Sequence, residues 1–323
     1  MHTSSPRLIL PGGNGFLGRL LTEWFTGRGW DVVVLARRPA RDRPGVRDVR
    51  WDGETLGRWA RELESADALV NLAGRSVDCR YHARNRRAIL DSRLNSTRVL
   101  ADAVRACDRP PRVWLNSSTA TIYKHSLERD MDESSEIGAT PAAKDAFSIE
   151  VATRWERALD DAVAPHTRKV ALRTAMVLAD VPGTVYCVLR RLARLGLGGA
   201  MGSGKQLVSW IHHVDFCRAI EWLIDHDALT GPVNLSAPVP VTNREMMRIL
   251  RRTFSVPIGL PATEWMLEIG AFLLRTETEL VIKSRRVMPG RLLESGFMFE
   301  HPQFEPAIRE IAGLSSTQPA ACA

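Results

Sequence analysis

Cysteine is scarce in this chain, with five residues among 323 and no Cys-x-x-Cys pair or Cys/His ligand spacing. An odd, scattered set excludes a disulfide framework and a cysteine-based metal centre, and points to reduced thiols in a cytoplasmic protein. Lysine is scarcer than the charge suggests: Lys124, Lys144, Lys169, Lys205 and Lys283 are the only lysines among 44 basic residues. The +7 balance is therefore carried by arginine, which suits phosphate or carboxylate binding. No patterned basic and aromatic stretch accompanies it, so nucleic acid is not an expected partner. Long hydrophobic runs are also missing. The first apolar run, around Leu8-Ile9-Leu10, meets glycines too soon for a signal-peptide core or a membrane span.

What is present is an alternation. Short apolar runs such as Leu8–Leu10, Val32–Leu35, Ala68–Leu72, Val113–Leu115 and Val170–Leu172 are separated by longer amphipathic stretches. Phe16–Arg28, Tyr81–Cys107 and Phe147–Val163 read as helices. This pattern predicts an α/β fold with a Rossmann-type doubly wound parallel sheet. After about residue 180 the pattern changes to a glycine-rich stretch, a strand-like Leu207–Ile211 and helices over Val214–Ile224 and Asn243–Thr253. The expected organisation is a dinucleotide domain over 1–180, to which segments around 207–235 return. A smaller substrate-side domain follows over 181–312, then a flexible tail over 313–323.

The octet Pro11-Gly12-Gly13-Asn14-Gly15-Phe16-Leu17-Gly18 joins the first strand to the first helix. Gly12, Gly15 and Gly18 form GxxGxxG: a tight turn, a close backbone approach to a pyrophosphate, and close helix–strand packing. Exposed N–H groups and the helix dipole then favour an anion, with Asn14, Phe16 and Leu17 in the same loop. At the end of the second strand, where an NAD site places an acid, stand Ala36, Arg37 and Arg38. A 2′-phosphate there meets no carboxylate and gains a charge-assisted bond worth roughly 1.5–3 kcal/mol. The expected cofactor is NADP(H).

Further motifs extend the pattern: Trp51-Asp52, Asn71-Leu72-Ala73-Gly74, Ser92-Arg93 with Thr97, and Trp155-Glu156. Later come Gly198-Gly199 through Gly202-Ser203-Gly204-Lys205-Gln206, Trp210-Ile211-His212 with Asp215, and Pro289-Gly290-Arg291-Leu292 before Gly296-Phe297. From about Leu8 to Ile311 the chain resembles the extended short-chain dehydrogenase/reductase superfamily. Within it, the likeness is to an atypical epimerase/dehydratase-like branch that ends in a small domain of unknown function. The resemblance implies that Asp52 lies beside the adenine and that Asn71, Leu72, Ala73 and Gly74 follow the adenosine ribose and pyrophosphate. It also implies that Ser117, Ser118 and Thr119 end the active-site strand, with Thr119 nearest to the catalytic hydroxyl and Tyr123 four residues on.

One departure limits the chemistry. Aligning on Glu156 puts Ser148 and Ala152 where the superfamily has its Tyr-x-x-x-Lys pair. Only Tyr81, Tyr123 and Tyr186 are available, and none begins that motif. Tyr123 is then a substitute proton donor or a loop anchor, and His212 an acid–base group or an organiser of the domain junction. Glu133 and Glu136 read as solvated. Gly198–Gln206 reads as a flexible wall over the substrate, with Lys205, Gln206, Trp210 and His212 as substrate contacts. No metal ligand set is evident. The expected function is an NADP(H)-binding epimerase or oxidoreductase acting on a small polar molecule, as a monomer or homodimer. The rival is a non-catalytic NADP(H)-responsive sensor.

Overall fold

The computed structural model describes residues 5–40, 43–143, 145–263 and 283–314. The flexible tail expected over 313–323 lies almost wholly outside them. β1 (Arg7–Pro11) opens the fold with Leu8, Ile9 and Leu10 fully buried. A strand apolar on both sides needs cover on both sides, and the chain supplies it in turn. After β1 come β2 (Asp31–Ala36), β3 (Val46–Arg50), β4 (Ala68–Asn71), β5 (Val113–Thr119), the short β6 (Asp130–Met131) and β7 (Arg168–Thr174). Then follow β8 (Met176–Leu178), β9 (Leu207–Val208), β10 (Trp210–His212), β11 (Gly231–Leu235), β12 (Val241–Thr242) and β13 (Arg286–Val287). The helices are α1 (Phe16–Thr26), α2 (Ala83–Arg105), α3 (Ala146–Asp160), α4 (Val185–Arg194), α5 (His213–Asp225), α6 (Asn243–Thr253), α7 (Gly290–Glu294) and α8 (Phe304–Ile311).

The main sheet is parallel throughout, in the order β11-β7-β5-β4-β1-β2-β3. The chain winds outward from β1 to β3, then restarts at β4 on the other side of β1. That reversal opens a crevice at the C-terminal ends of β1 and β4. Side chains alternate across the sheet. Leu8, Leu10, Val32 and Val34 pack against Leu21 and Phe25 of α1 and Phe216 and Ile220 of α5. Ile9, Val33, Leu69 and Trp114 pack against Val99 and Leu100 of α2 and Leu159 of α3. Each such side chain, fully buried, contributes about 1.5–3 kcal/mol.

A third apolar cluster lies off the sheet. It gathers Tyr186 and Leu189 of α4, Met246 and Leu250 of α6, and Phe304 and Ile308 of α8 around Trp210. The strand expected over Leu207–Ile211 is interrupted at Ser209, so β9 pairs with β12 while β10 pairs with β8. Ser209 spends its hydroxyl on the 283–288 segment instead, donating to the Arg285 carbonyl and accepting from the Val287 N–H.

Candidate cofactor and substrate site

The turn after β1 is built for close backbone contact. Gly12 has φ +79°, and a Cβ added there would stand 2.9 Å from the Leu72 carbonyl and the Ala73 nitrogen. The loop after β4 is thus pressed directly on the glycine turn, across the crevice. Asn71 fixes that loop: its Oδ1 accepts from the Ala73 N–H at 3.0 Å and its Nδ2 donates to Asn116 at 2.7 Å. Gly74 sits beneath the Arg93 guanidinium, which faces the Trp155 ring at 5.0 Å and donates to the Arg75 carbonyl. Trp155 in turn donates to Thr97 at 3.1 Å, and Ser92 accepts from the Arg75 N–H. Ser92, Arg93, Thr97 and Trp155 therefore buttress the crevice wall.

Gly15 is the N-cap of α1. It offers no side-chain cap, and no acidic residue lies in the first turn. Most other helix starts among the described residues are capped, α2 by His82, α4 by Thr184, α5 by His212 and α6 by Thr242. The first amides of α1, in Phe16 and Leu17, thus keep their anion-binding capacity. Gly18 touches Gly13 so closely that a Cβ would stand 2.4 Å from its backbone. Asn14 reaches across to the Arg38 carbonyl at 3.2 Å, tying the loop to the end of β2. Arg37 and Arg38 are exposed, and their side chains have no partner among the described residues. Asp52 is occupied by its own turn: it accepts from the Glu54 and Thr55 amides and the Thr55 hydroxyl, bonds that hold its carboxyl below the usual range. It borders a groove of about 480 Å³ beside Val49, Trp51 and Trp59.

Further along the sheet, β5 ends in hydroxyls. Ser117 and Thr119 are half-buried, whereas Ser118 is buried and donates to Glu156 of α3. Thr119 bonds the Thr121 hydroxyl at 2.9 Å and accepts from the Thr121 N–H at 3.1 Å. Hydroxyl rotation leaves Thr119 able to donate outward while Thr121 donates to it.

The proposed substitutes for the missing pair are placed differently. Tyr123 is fully buried; its hydroxyl donates to Asn234 at 2.8 Å and accepts from Arg173 at 2.9 Å. Burial pushes its pKa up to about 12, against the pull of Arg173. This corrects the donor reading, because the proton is locked inside the protein. A Tyr123→Phe protein should keep cofactor binding and lose about 1–3 kcal/mol of stability, since Asn234 and Arg173 each lose a partner. Urea unfolding of the two proteins measures this.

His212 is also enclosed. Its Nδ1 accepts from the Val214 amide at 3.3 Å as the cap of α5, and its Nε2 faces Glu310 at 2.8 Å. His212, His301 and Glu310 hold ligand atoms within 4.8 Å of one another. The hydrogen bonds place the imidazole proton on Nε2, the atom a cation would need, so the geometry favours a neutral His–carboxylate bond. Burial, then the His213 and His301 rings, hold the His212 pKa well below its ordinary value. Its folded pKa is depressed, so its stabilisation is complete above about pH 6.5. As pH falls further, the unfolded chain takes up a proton that the folded chain refuses. Stability should drop by about 1.4 kcal/mol per pH unit for each such group. His212→Gln should flatten that slope in denaturant titrations between pH 7 and pH 5.

Three substrate assignments change with burial. Trp210 has no exposure, and its Nε1–H donates to the Val239 carbonyl. Gln206 is buried and donates to the Met201 carbonyl at 2.8 Å, and His212 is enclosed as described. These side chains are spent on internal contacts, and of the four only Lys205 remains exposed. The glycine-rich loop is anchored as well, by Met201 N–H to Asn243 and Gly202 N–H to Ala262. Glu133 is another correction: it is half-buried and accepts from the Asn234 and Arg291 amides. Burial raises its pKa. Glu136 is exposed and pairs with Lys124.

Two groups escaped the sequence reading. Arg173 makes a two-pronged ion pair with Glu156 at 2.9 and 2.8 Å. Lys283, near the other end of the chain, is buried with its ammonium on Asp145 and on the Thr121 carbonyl. Neither lies in a local motif, so only the folded chain joins them to the site.

Comparison with known proteins agrees with this architecture. Residues 8–235 match the NAD dependent epimerase/dehydratase family, and residues 262–311 match a domain of unknown function, DUF1731. The epimerase family protein SDR39U1 of Bos taurus is 30% identical over 309 residues, covering 94% of this chain and 99% of that protein. The epimerase family protein YfhF of Bacillus subtilis is 28% identical, covering 94% and 97%. A crystal structure of human epimerase family protein SDR39U1 with NADPH superposes with TM-score 0.82 at 28% identity, covering 95% of this chain and 99% of that one. The chain belongs to the NAD dependent epimerase/dehydratase family.

Proposed function

We propose that this protein binds NADP(H) in the crevice between β1 and β4 and uses it in oxidation–reduction or epimerisation of a small polar substrate. The observation that carries the reading is the uncapped start of α1 behind the Gly12 turn, with two exposed arginines that have no partner among the described residues and no acid at the end of β2. The residues present fit a phosphorylated dinucleotide. The α1 amides would hold the pyrophosphate, Arg37 the 2′-phosphate, and the Asn71–Gly74 loop the adenosine side. NADPH in the human relative supports the same choice. A nicotinamide bound there would supply hydride chemistry, and the protein would supply orientation. Thr119, half-buried at the end of β5 and bonded to Thr121, is the hydroxyl assigned in this reading to hydrogen-bond a substrate oxygen.

NADPH should bind more tightly than NADH in titration calorimetry. Arg37→Ala should weaken NADPH roughly tenfold or more and leave NADH unchanged. Equal affinities in the parent protein would defeat the NADP(H) assignment.

The enclosure of both Tyr123 and His212 favours a second reading, a non-catalytic NADP(H)-responsive protein. A screen of carbonyl compounds and sugar nucleotides with NADPH separates the two. Turnover that falls in Thr119→Val supports the enzyme, whereas tight binding without turnover supports the sensor.

A further inference from the structure

We propose that Lys283, from the C-terminal domain, is the positioning residue for the nicotinamide end of the site, clamping the Thr119 turn to the start of α3 where the family's usual lysine is missing. The inference rests on the cofactor reading above and assigns a task to the 262–311 region.

The clamp has two jaws. On one side the Lys283 ammonium donates to the Thr121 carbonyl at 2.7 Å. Thr121 holds Thr119 through both its amide and its hydroxyl. On the other side the same ammonium pairs with Asp145, the N-cap of α3, which also accepts from the Thr140 amide at 2.8 Å. The lysine and aspartate side chains are 1% and 0% exposed, so water screens the pair little. Helix α3 carries Ser148 and Ala152 at the positions of the absent Tyr and Lys.

Packing follows the charge. Ala152 is fully buried in a cluster with Ile122, Tyr123 and Val287. Val287, from the C-terminal segment, packs in that same cluster as the small Ala152 side chain. β13 pairs with β6, Ser284 N–H donates to His125, and Ser126 N–H donates to the Ser284 carbonyl. The segment 283–288 is thus held against β6 and the turn that follows Thr119. It brings a buried ammonium to the start of α3 and the Thr121 carbonyl.

Lys283→Met alone strands the Asp145 carboxylate and can unfold the protein. Lys283→Met combined with Asp145→Asn removes both charges, and the new side-chain amide can still accept from the Thr140 N–H. The measurement is binding of NADPH, followed by nicotinamide fluorescence, beside binding of 2′,5′-ADP, which has no nicotinamide half. In the double variant NADPH should weaken roughly tenfold and lose its fluorescence enhancement, with 2′,5′-ADP unchanged. Equal loss of both ligands would make Lys283 a general fold contact and overturn the proposal. Unchanged binding of both would overturn it too. Failure of the parent protein to bind either ligand would instead refute the cofactor reading on which the proposal stands.

Discussion

A Gly15→Val protein should unfold within a few degrees of the parent and bind NADPH roughly 10- to 100-fold more weakly. Gly15 has φ −74° and ψ 175°, a conformation that any residue adopts. A Cβ there meets only the Gly12 carbonyl, at 3.4 Å, an ordinary contact. The folded chain accommodates the Cβ, at the modest cost of a poorer N-cap, so the larger effect appears when a pyrophosphate approaches the α1 amides. Gly12→Val is the informative contrast. Its positive φ and the 2.9 Å approach to Leu72 and Ala73 would strain the turn and push the β4 loop away with or without ligand. That variant should lose both binding and stability, while Gly15→Val should lose mainly binding. Calorimetric titration with NADPH, beside circular dichroism melts, separates the two. Normal affinity in Gly15→Val would move the dinucleotide elsewhere.

The parts of this fold that are legible in the sequence are those whose physics is local. Unbroken apolar runs at Leu8–Leu10 and Val32–Leu35 require cover on both faces, and the amphipathic helices between them provide it. The glycine octet announces its turn because a positive φ and a helix start leave few alternatives to glycine. The helix expected over Asn243–Thr253 is α6, with the same bounds.

The site is less legible because residue type does not reveal what a side chain is bonded to. Trp210, Gln206 and His212 stand in a motif-like run, yet all three are buried and bonded within the protein. Glu133 looks solvated in a polar loop until β11 and α7 bring two amides to it. Lys283 and Thr121 are 162 residues apart, and no periodicity connects them. Long-range polar pairing of this kind is where sequence pattern loses information.

The buried network around Arg173 sets the other large effect. Arg173 on β7 bonds both oxygens of Glu156 on α3, the Tyr123 hydroxyl and the Glu133 carbonyl. Glu156 also accepts from Ser118 at the end of β5. The two side chains are 7% and 13% exposed, so removing one charge leaves the other poorly solvated. Glu156→Gln keeps the shape and one acceptor but leaves the guanidinium without its counter-charge. The expected loss is about 3–5 kcal/mol in urea unfolding. Arg173→Met alone should cost a similar amount, because it strands the carboxylate. The double variant should recover part of the loss, since neutralising both members removes the buried charges together. Additive losses would mean that water or another partner already compensates each charge. Cofactor affinity supplies a second readout. The network braces the strand end that carries Thr119, while Gly12, Gly15 and Arg37 lie across the crevice. Under conditions where the Glu156→Gln protein stays folded, NADPH should bind with nearly the parent affinity, while any turnover that depends on Thr119 should fall.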